Sequence, residues 1–237
     1  MFLSFEDRPS SSPLVESIWR SRSTTGGLFH SMAEGNIELV VTRLPGLTRV
    51  TLRGPVTKPT QALCPPDGEW LAIRFRAGTF LPYVPTALLL DHRSLDLPMN
   101  GDRFCLQGSM WAIPSFENAE CFVARLARAG LITLDRMALA AFEADTREAG
   151  LRSIQRHFLK SVGMTYARYR QIERARHAVA LLRSGRTIQD TSHDAGYFDQ
   201  AHMTRAFKTL IGQSPLKVLR QEAQLSFLCN TPRALPE

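Results

Sequence analysis

The sequence contains only four cysteines among 237 residues, and none of them belongs to a recognisable motif. Zinc sites and redox centres use closely spaced pairs such as C-x-x-C, whereas Cys64, Cys105, Cys121 and Cys229 are 16 or more positions apart. We therefore expect four separate thiols in a reducing compartment.

Long hydrophobic runs are also absent. No apolar stretch approaches the roughly 20 residues that a membrane-spanning helix needs. The first seven residues carry no lysine or arginine and reach an acidic side chain at Glu6, unlike a secretory signal. These two absences predict a cytoplasmic protein with no membrane partner.

Motifs of the common catalytic sites are missing as well. The chain has no G-x-S-x-G elbow, no P-loop and no G-x-G-x-x-G fingerprint. An enzyme needs a nucleophile, a base and an orienting group within reach of one another, and no pattern here predicts such a set. We expect no catalytic residues, no cofactor and no enzyme activity.

The positive charge is concentrated in one block. The whole chain has a formal net charge of +7, and residues 151–220 alone hold thirteen basic and four acidic residues. Such a cluster is typical of proteins that bind a polyanion, because each Lys or Arg that neutralises a phosphate releases a counterion. Charge alone does not distinguish this from a helical domain with a solvated basic face.

The pattern of apolar residues changes near residue 115. Before it, residues 37–41, 49–52 and 70–75 read as short strands separated by turn residues, which predicts a small antiparallel barrel or sandwich. Arg74 and Arg76 are expected on a solvated face, with contact to an anionic effector as the alternative. His30 and His92 lie far apart in this half, so we expect no metal site.

From Ser115 onward the spacing of apolar residues is helical. Ser115 is a candidate N-cap for a helix over 116–129, and further helices are expected over about 135–144 and 151–162. A longer helix runs from Thr165 to Gly185. Its core-facing stripe is formed by Ile172, Ala175, Val179 and Leu182.

Residues 187–208 follow the pattern of a helix-turn-helix. Thr187 can cap a first helix, Gly196 lies at a sharp turn, and Asp199 can cap a second helix. The side chains expected to point outward on the second helix suit base edges and phosphates. They are Gln200, Ala201, His202, Thr204, Arg205 and Lys208.

One long motif in this region is highly specific. It runs from Ala195 to Lys208 as A-G-Y-F-D-Q-A-H-M-T-R-A-F-K and is followed by Gly212-x-Ser214-Pro215. This motif resembles the signature of the AraC/XylS family of bacterial transcription regulators. Residues 152–160 with 163–165 resemble the first recognition helix of that family, and residues 173–176 ahead of 180–182 resemble its linker helix. The resemblance covers about residues 150–220.

The resemblance implies two helix-turn-helix units whose recognition helices enter successive major-groove segments of double-stranded DNA, about one helical turn or ~34 Å apart. By position, the first helix would read with Arg152, Gln155 and Arg156, beside a phosphate contact from Lys160. The second would discriminate bases with Gln200, His202 and Arg205. Its other positions in the implied DNA-binding set are Ala201, Thr204 and Lys208.

Two departures from the family pattern stand out. Only 17 residues separate Asp135 from Ser153, so we expect an abbreviated first unit. Thr191 and Ser192 occupy positions that are usually small or apolar, so the core of the second unit is expected to be more polar and less stable.

The N-terminal half resembles, more faintly, the β-rich domain that precedes such DNA-binding modules. Residues 35–40 and 73–78 carry that likeness. The implied partners beyond DNA are a small-molecule effector, a second copy of the chain in a homodimer, and RNA polymerase, and all three stay open. The sequence does not specify the operator, the effector or the direction of regulation.

Together these observations predict an α+β protein. A β-rich, small barrel-like sensing or dimerisation domain would span residues 1–114, a connecting helix 115–134, and an all-α double helix-turn-helix DNA-binding domain 135–237. The predicted function is sequence-specific regulation of transcription. Two alternatives stay open: a DNA-repair methyl acceptor fused to such a module, for which Cys64 lacks basic neighbours, and an interaction adaptor that has lost specific DNA reading.

Overall fold

A computed structural model describes residues 3–91, 93–143 and 151–220. His92 and Cys229 lie outside the described residues, as does residue 144 of the helix predicted over 135–144. The chain is β-rich up to residue 112 and mainly helical from residue 119, so the predicted α+β class is confirmed. Among the described residues, no helix combines the length and the apolar character needed to cross a membrane.

Thirteen strands and a short 3₁₀ turn at Thr86–Leu89 are described. The strands are β1 (Leu3–Pro9), β2 (Val15–Ser23), β3 (Gly27–Ser31), β4 (Glu38–Leu44), β5 (Leu47–Arg53), β6 (Thr60–Cys64), β7 (Glu69–Phe75), β8 (Thr79–Phe80), β9 (Ser94–Leu97), β10 (Met99–Asn100), β11 (Arg103–Leu106), β12 (Ser109–Ala112) and β13 (Thr133–Leu134). The three predicted strands correspond to β4, β5 and β7, each within three residues at either end.

Seven helices are described. They are α1 (Ala119–Arg128), α2 (Arg136–Glu143), α3 (Leu151–Ser161), α4 (Tyr166–Arg183), α5 (Ile188–Asp194), α6 (Gln200–Leu210) and α7 (Pro215–Leu219). The predicted N-cap at Ser115 is wrong, because α1 begins after Asn118. Ser115 instead closes a turn, in which its hydroxyl accepts a hydrogen bond from the backbone N–H of Asn118.

The chain forms two compact units, and their division differs from the predicted domain boundaries. The first unit consists of Met1–Gly26, Asn36–Pro55 and Pro65–Thr165, and the second of Gly27–Gly35, Val56–Cys64 and Tyr166–Glu237. Two segments of the N-terminal half therefore belong to the same unit as α4 to α7.

The first unit is built on an antiparallel sheet of six strands in the order β1-β2-β7-β4-β5-β9. One face of this sheet is apolar because alternate residues of the central strands, such as Ile18, Leu39 and Ile73, point the same way. Phe122 and Leu126 of α1 belong to the same core cluster.

A buried ion pair lies between two central strands of this sheet. Nε of Arg74 on β7 is 3.0 Å from Oε1 of Glu38 on β4, and Nε1–H of Trp19 donates to the same oxygen at 3.0 Å. Burial by itself raises the pKa of Glu38, but the charge of Arg74 and the hydrogen bond from Trp19 outweigh it and hold this pKa below its usual value. Arg74 is only 3% exposed, so the expectation of a solvated face is wrong for this residue.

Removing one partner of this pair leaves the other charge buried. We expect Glu38→Gln to lower the free energy of unfolding by about 3–5 kcal/mol, measured by urea denaturation at pH 7. The control is Glu6→Gln, which removes the exposed ion pair between Glu6 and Arg20 and should cost less than about 1 kcal/mol. Equal losses for the two variants would contradict a buried, essential pair.

Candidate nucleic-acid interface

The long helix α4 is the scaffold of the second unit. Its buried side chains include Ile172, Ala175, Val179 and Leu182, so the predicted core-facing stripe is confirmed. Helices α5, α6 and α7 all pack against α4. The orientation of the exposed face of α6 therefore follows from the packing of its buried face.

The turn between α5 and α6 is closed by backbone hydrogen bonds. Thr187 caps α5, as predicted, by accepting from the N–H of Asp190 at 3.1 Å. Gly196 adopts a positive φ of 69°, which a side chain rarely tolerates. The N–H of Tyr197 then donates to the carbonyl of Ser192 at 2.9 Å, and the chain leaves in a new direction.

Helix α6 begins at the predicted cap. Oδ1 of Asp199 accepts a hydrogen bond from the N–H of His202 at 2.6 Å, which satisfies one of the free donors of the first turn. Met203, Phe207 and Leu210 are buried on one side of the helix.

The opposite side of α6 presents three of the predicted DNA-binding residues, Ala201, Arg205 and Lys208, and all three are exposed. Gln200 is exposed in the first turn of the helix. His202 and Thr204 are half-buried at the two flanks of this face. The ring of His202 stands edge-on to Tyr197, with ring centres 5.3 Å apart. The hydroxyl of Thr204 donates to the carbonyl of Gln200 at 2.8 Å.

The other predicted set lies on α3, in the first unit. Arg152, Gln155, Arg156 and Lys160 are all exposed, and Nζ of Lys160 lies 5.6 Å from the centre of the Phe80 ring. The two predicted sets belong to different compact units, so the expected spacing of ~34 Å between the two recognition helices stays a prediction.

The carboxylate of Asp135 connects α3 to the start of α2. Oδ1 of Asp135 accepts from the N–H groups of Met137 and Ala138 at the start of α2. Its Oδ2 also lies 2.8 Å from Nδ1 of His157 on α3. Ile154 and Phe158 form the buried side of α3.

Sequence reasoning missed a further part of the second unit. We call residues 27–35 and 56–64 the ribbon, since they contain the antiparallel strands β3 and β6. The N–H of Ala33 donates to the carbonyl of Leu210, the last residue of α6, at 2.8 Å. The backbone at Gly35 lies so close to the ring of Tyr169 on α4 that an added Cβ would be 2.4 Å from Cε2.

Polar side chains also join the ribbon to the helices. Nη1 of Arg176 on α4 lies 2.5 Å from Oε2 of Glu34, and both side chains are mostly buried. Nη2 of Arg168 donates to the carbonyl of Thr57 at 2.6 Å. His30 lies 3.0 Å from Nε2 of Gln213, so its ring nitrogens serve a structural contact. The signal in the sequence was weak, because these partners are more than 100 positions apart.

Among the described residues, no group of three or more His, Cys, Asp or Glu side chains could hold a metal ion. Cys64, the thiol weighed for the methyl-acceptor alternative, is buried at the end of β6 in the ribbon. The geometry of α6 is instead that of a helix with an exposed polar and basic face.

The comparisons with known proteins bear on this region. Residues 144–221 match the family described as "Helix-turn-helix domain". This match begins just before α3, includes α4 to α7, and coincides with the segment whose motif resembles the AraC/XylS signature. Residues 144–221 are a helix-turn-helix domain of the AraC type. The prediction of a DNA-binding transcription regulator with an AraC-type helix-turn-helix domain is confirmed.

Two solved structures resemble the whole chain at low identity. ToxT from Vibrio cholerae is 11% identical, with 92% of this chain and 98% of that chain covered and a TM-score of 0.42. An apo lysine-to-alanine variant of ToxT from Vibrio cholerae strain SCE256 is 10% identical, with 93% and 97% covered and a TM-score of 0.40. The comparison with curated proteins gave no match.

The core of the helix-turn-helix domain is more polar than usual, as expected. Thr191 and Ser192 are buried, and neither hydroxyl has a hydrogen-bond partner among the described residues. We expect Thr191→Val to raise the free energy of unfolding by about 1 kcal/mol, because it removes a buried donor that nothing satisfies. Denaturant unfolding measures this change.

Thr209→Val is the control for that substitution. The hydroxyl of Thr209 is exposed and donates to the carbonyl of Arg205, so its loss should not stabilise the protein. A lower stability for Thr191→Val would show that the buried hydroxyl has a partner after all.

The ion pair between ribbon and helix gives a second prediction. We expect Arg176→Ala to destabilise the second unit by about 3 kcal/mol, because it removes one side of a mostly buried ion pair with Glu34. Arg186→Ala is the control, since Arg186 pairs with Asp194 at 3.5 Å in an exposed position. Native-state hydrogen exchange of α4 and α6 amides measures the effect; equal protection in the two variants would contradict a structural ribbon.

Proposed function

We propose that this regulator reads its DNA site through the exposed face of α6, with Arg205 and Gln200 on base edges and Lys208 on the phosphate backbone. One observation carries the proposal: all three side chains are exposed on a capped helix, with Arg205 and Lys208 on the side opposite its buried residues and Gln200 in its first turn. Arg forms two hydrogen bonds with guanine in the major groove, and Gln does so with adenine.

The half-buried flanks of α6 have a different part in this proposal. The hydroxyl of Thr204 donates a hydrogen bond to the carbonyl of Gln200, so its oxygen is left to accept a hydrogen bond. His202 is held beside Tyr197, so it would contact the DNA only at the edge of the face. Helix α3, with Arg152, Gln155 and Arg156 exposed, would supply the second reading surface.

The mechanism is binding, and it includes no bond-making step. Control by a small molecule extends the proposal to the first unit. A hollow of about 600 Å³ lies there beside β1, β2 and β7, in the size range of ligand sites. Arg20 pairs there with Glu6 and Arg22 with Glu69, and the lining holds three arginines and three glutamates in all, which favours a polar molecule without net charge. A homodimer and contact with RNA polymerase stay predictions.

Two substitutions on α6 separate base reading from phosphate contact. We expect Arg205→Ala to weaken the binding free energy for the selected site by about 1–3 kcal/mol and to relax the preference at one base pair. Lys208→Ala should instead weaken binding to all sequences. It should also reduce the slope of log affinity against log salt concentration by about one unit. Both are measured by fluorescence anisotropy with the selected site and with random DNA.

The same measurements can overturn the assignment. If Arg205→Ala loses affinity equally for the selected site and random DNA, Arg205 is a backbone contact. If neither variant changes binding to a site that the wild-type protein prefers, α6 does not read the DNA.

A further inference from the structure

A small hollow lies in the second unit between α4 and α6, beside the face that we propose reads DNA. Its volume is about 200 Å³, which is below the range for drug-sized ligands and enough for one small ion. The lining includes Arg168, Arg174, Tyr197, His202 and Arg205.

The chemistry of this hollow is cationic. Three arginines line it, and no Asp or Glu does. Backbone carbonyls hold two of the guanidinium groups: that of Thr57 accepts from Arg168, and that of Gly196 accepts from Nη1 of Arg174 at 3.1 Å. Because these side chains are already positioned, an anion would bind without the cost of ordering them.

Tyr197, one of the residues that line this hollow, has a buried hydroxyl. Tyr197 is only 7% exposed, and its hydroxyl has no hydrogen-bond partner among the described residues. The guanidinium of Arg174 lies 5.0 Å from the centre of the Tyr197 ring. Burial raises the pKa of Tyr197 to about 12, against a smaller lowering by Arg174, so the hydroxyl stays protonated at neutral pH. It is a donor that lacks an acceptor.

We propose that this hollow binds one phosphate group through Arg174 and Arg168. Phosphate offers several charged acceptor oxygens, and arginine binds it with two parallel hydrogen bonds. In the DNA complex the group would be a backbone phosphate beside the bases that α6 reads, and this part rests on the proposed function. Arg174 is not among the residues assigned to DNA from the sequence.

Such a site would fix the position of α6 on the duplex. Arg174 holds the carbonyl of Gly196, so one side chain would join the phosphate to the turn that starts α6. Phosphate contacts set the register of a protein on DNA, and base contacts then specify the sequence.

The first arm of the test uses inorganic phosphate and the full-length protein. Binding is followed by isothermal titration at constant ionic strength, with chloride as the balancing anion. We expect Arg174→Gln to weaken phosphate binding about tenfold or more, since a charged hydrogen-bond donor is lost. Arg170→Gln is the control, because Arg170 is exposed on the same helix and does not line the hollow.

The second arm uses the selected DNA site with single methylphosphonate linkages, each of which removes one backbone charge. At one linkage, the methylphosphonate should lower the affinity of the wild-type protein about tenfold. At that linkage it should cause no further loss of affinity in the Arg174→Gln protein. The same linkage should still weaken the Arg170→Gln control. A shared loss of this kind shows that Arg174 and that phosphate interact directly.

The combined outcomes decide between the sources of the phosphate. In one outcome, inorganic phosphate binds through Arg174, and the affinity losses from Arg174→Gln and from the linkage add at every linkage. This outcome would support a site for a free phosphate and overturn the DNA assignment. A shared loss at one linkage without binding of inorganic phosphate would support a DNA phosphate alone. If both arms are negative, the proposal is wrong. If the wild-type protein binds no DNA, the proposed function fails and the first arm decides the site.

Discussion

The exposed face of α6 depends on how the chain turns at Gly196. This residue adopts a conformation with φ of 69°, and the hydrogen bond from Tyr197 to the carbonyl of Ser192 fixes the angle at which the next helix leaves. Arg174 holds the same turn from α4 through the carbonyl of Gly196. A change in this turn would redirect every side chain of α6, because the helix begins only three residues later at its Asp199 cap.

The second unit is not a contiguous piece of sequence. The ribbon, residues 27–35 and 56–64, lies against α4 and the end of α6 through Ala33, Glu34 and Gly35. A fragment that starts at residue 135 would lack these contacts and expose the ring of Tyr169, which is 2% exposed in the intact chain. Two segments of the β-rich half are therefore part of the compact unit that contains α6.

Local patterns in the sequence predicted much of this structure. The caps at Thr187 and Asp199, the turn at Gly196 and the buried stripe of α4 all depend on residues close in sequence, and all are confirmed. What sequence reasoning missed depends on distant partners. Arg74 was expected on a solvated face because its buried partner, Glu38, is 36 positions away. The ribbon was missed for the same physical reason, since its contacts carry no periodic signal.

Recognition of a specific DNA sequence by this chain should depend strongly on electrostatics, because its second half is basic. The most direct measurement selects genomic fragments with the purified full-length protein and titrates the best fragment against random DNA over several salt concentrations. We expect a specificity ratio of roughly 10³ or more, with an affinity that falls steeply as salt rises. Equal and weak binding to every fragment, at all salt concentrations, would contradict the account.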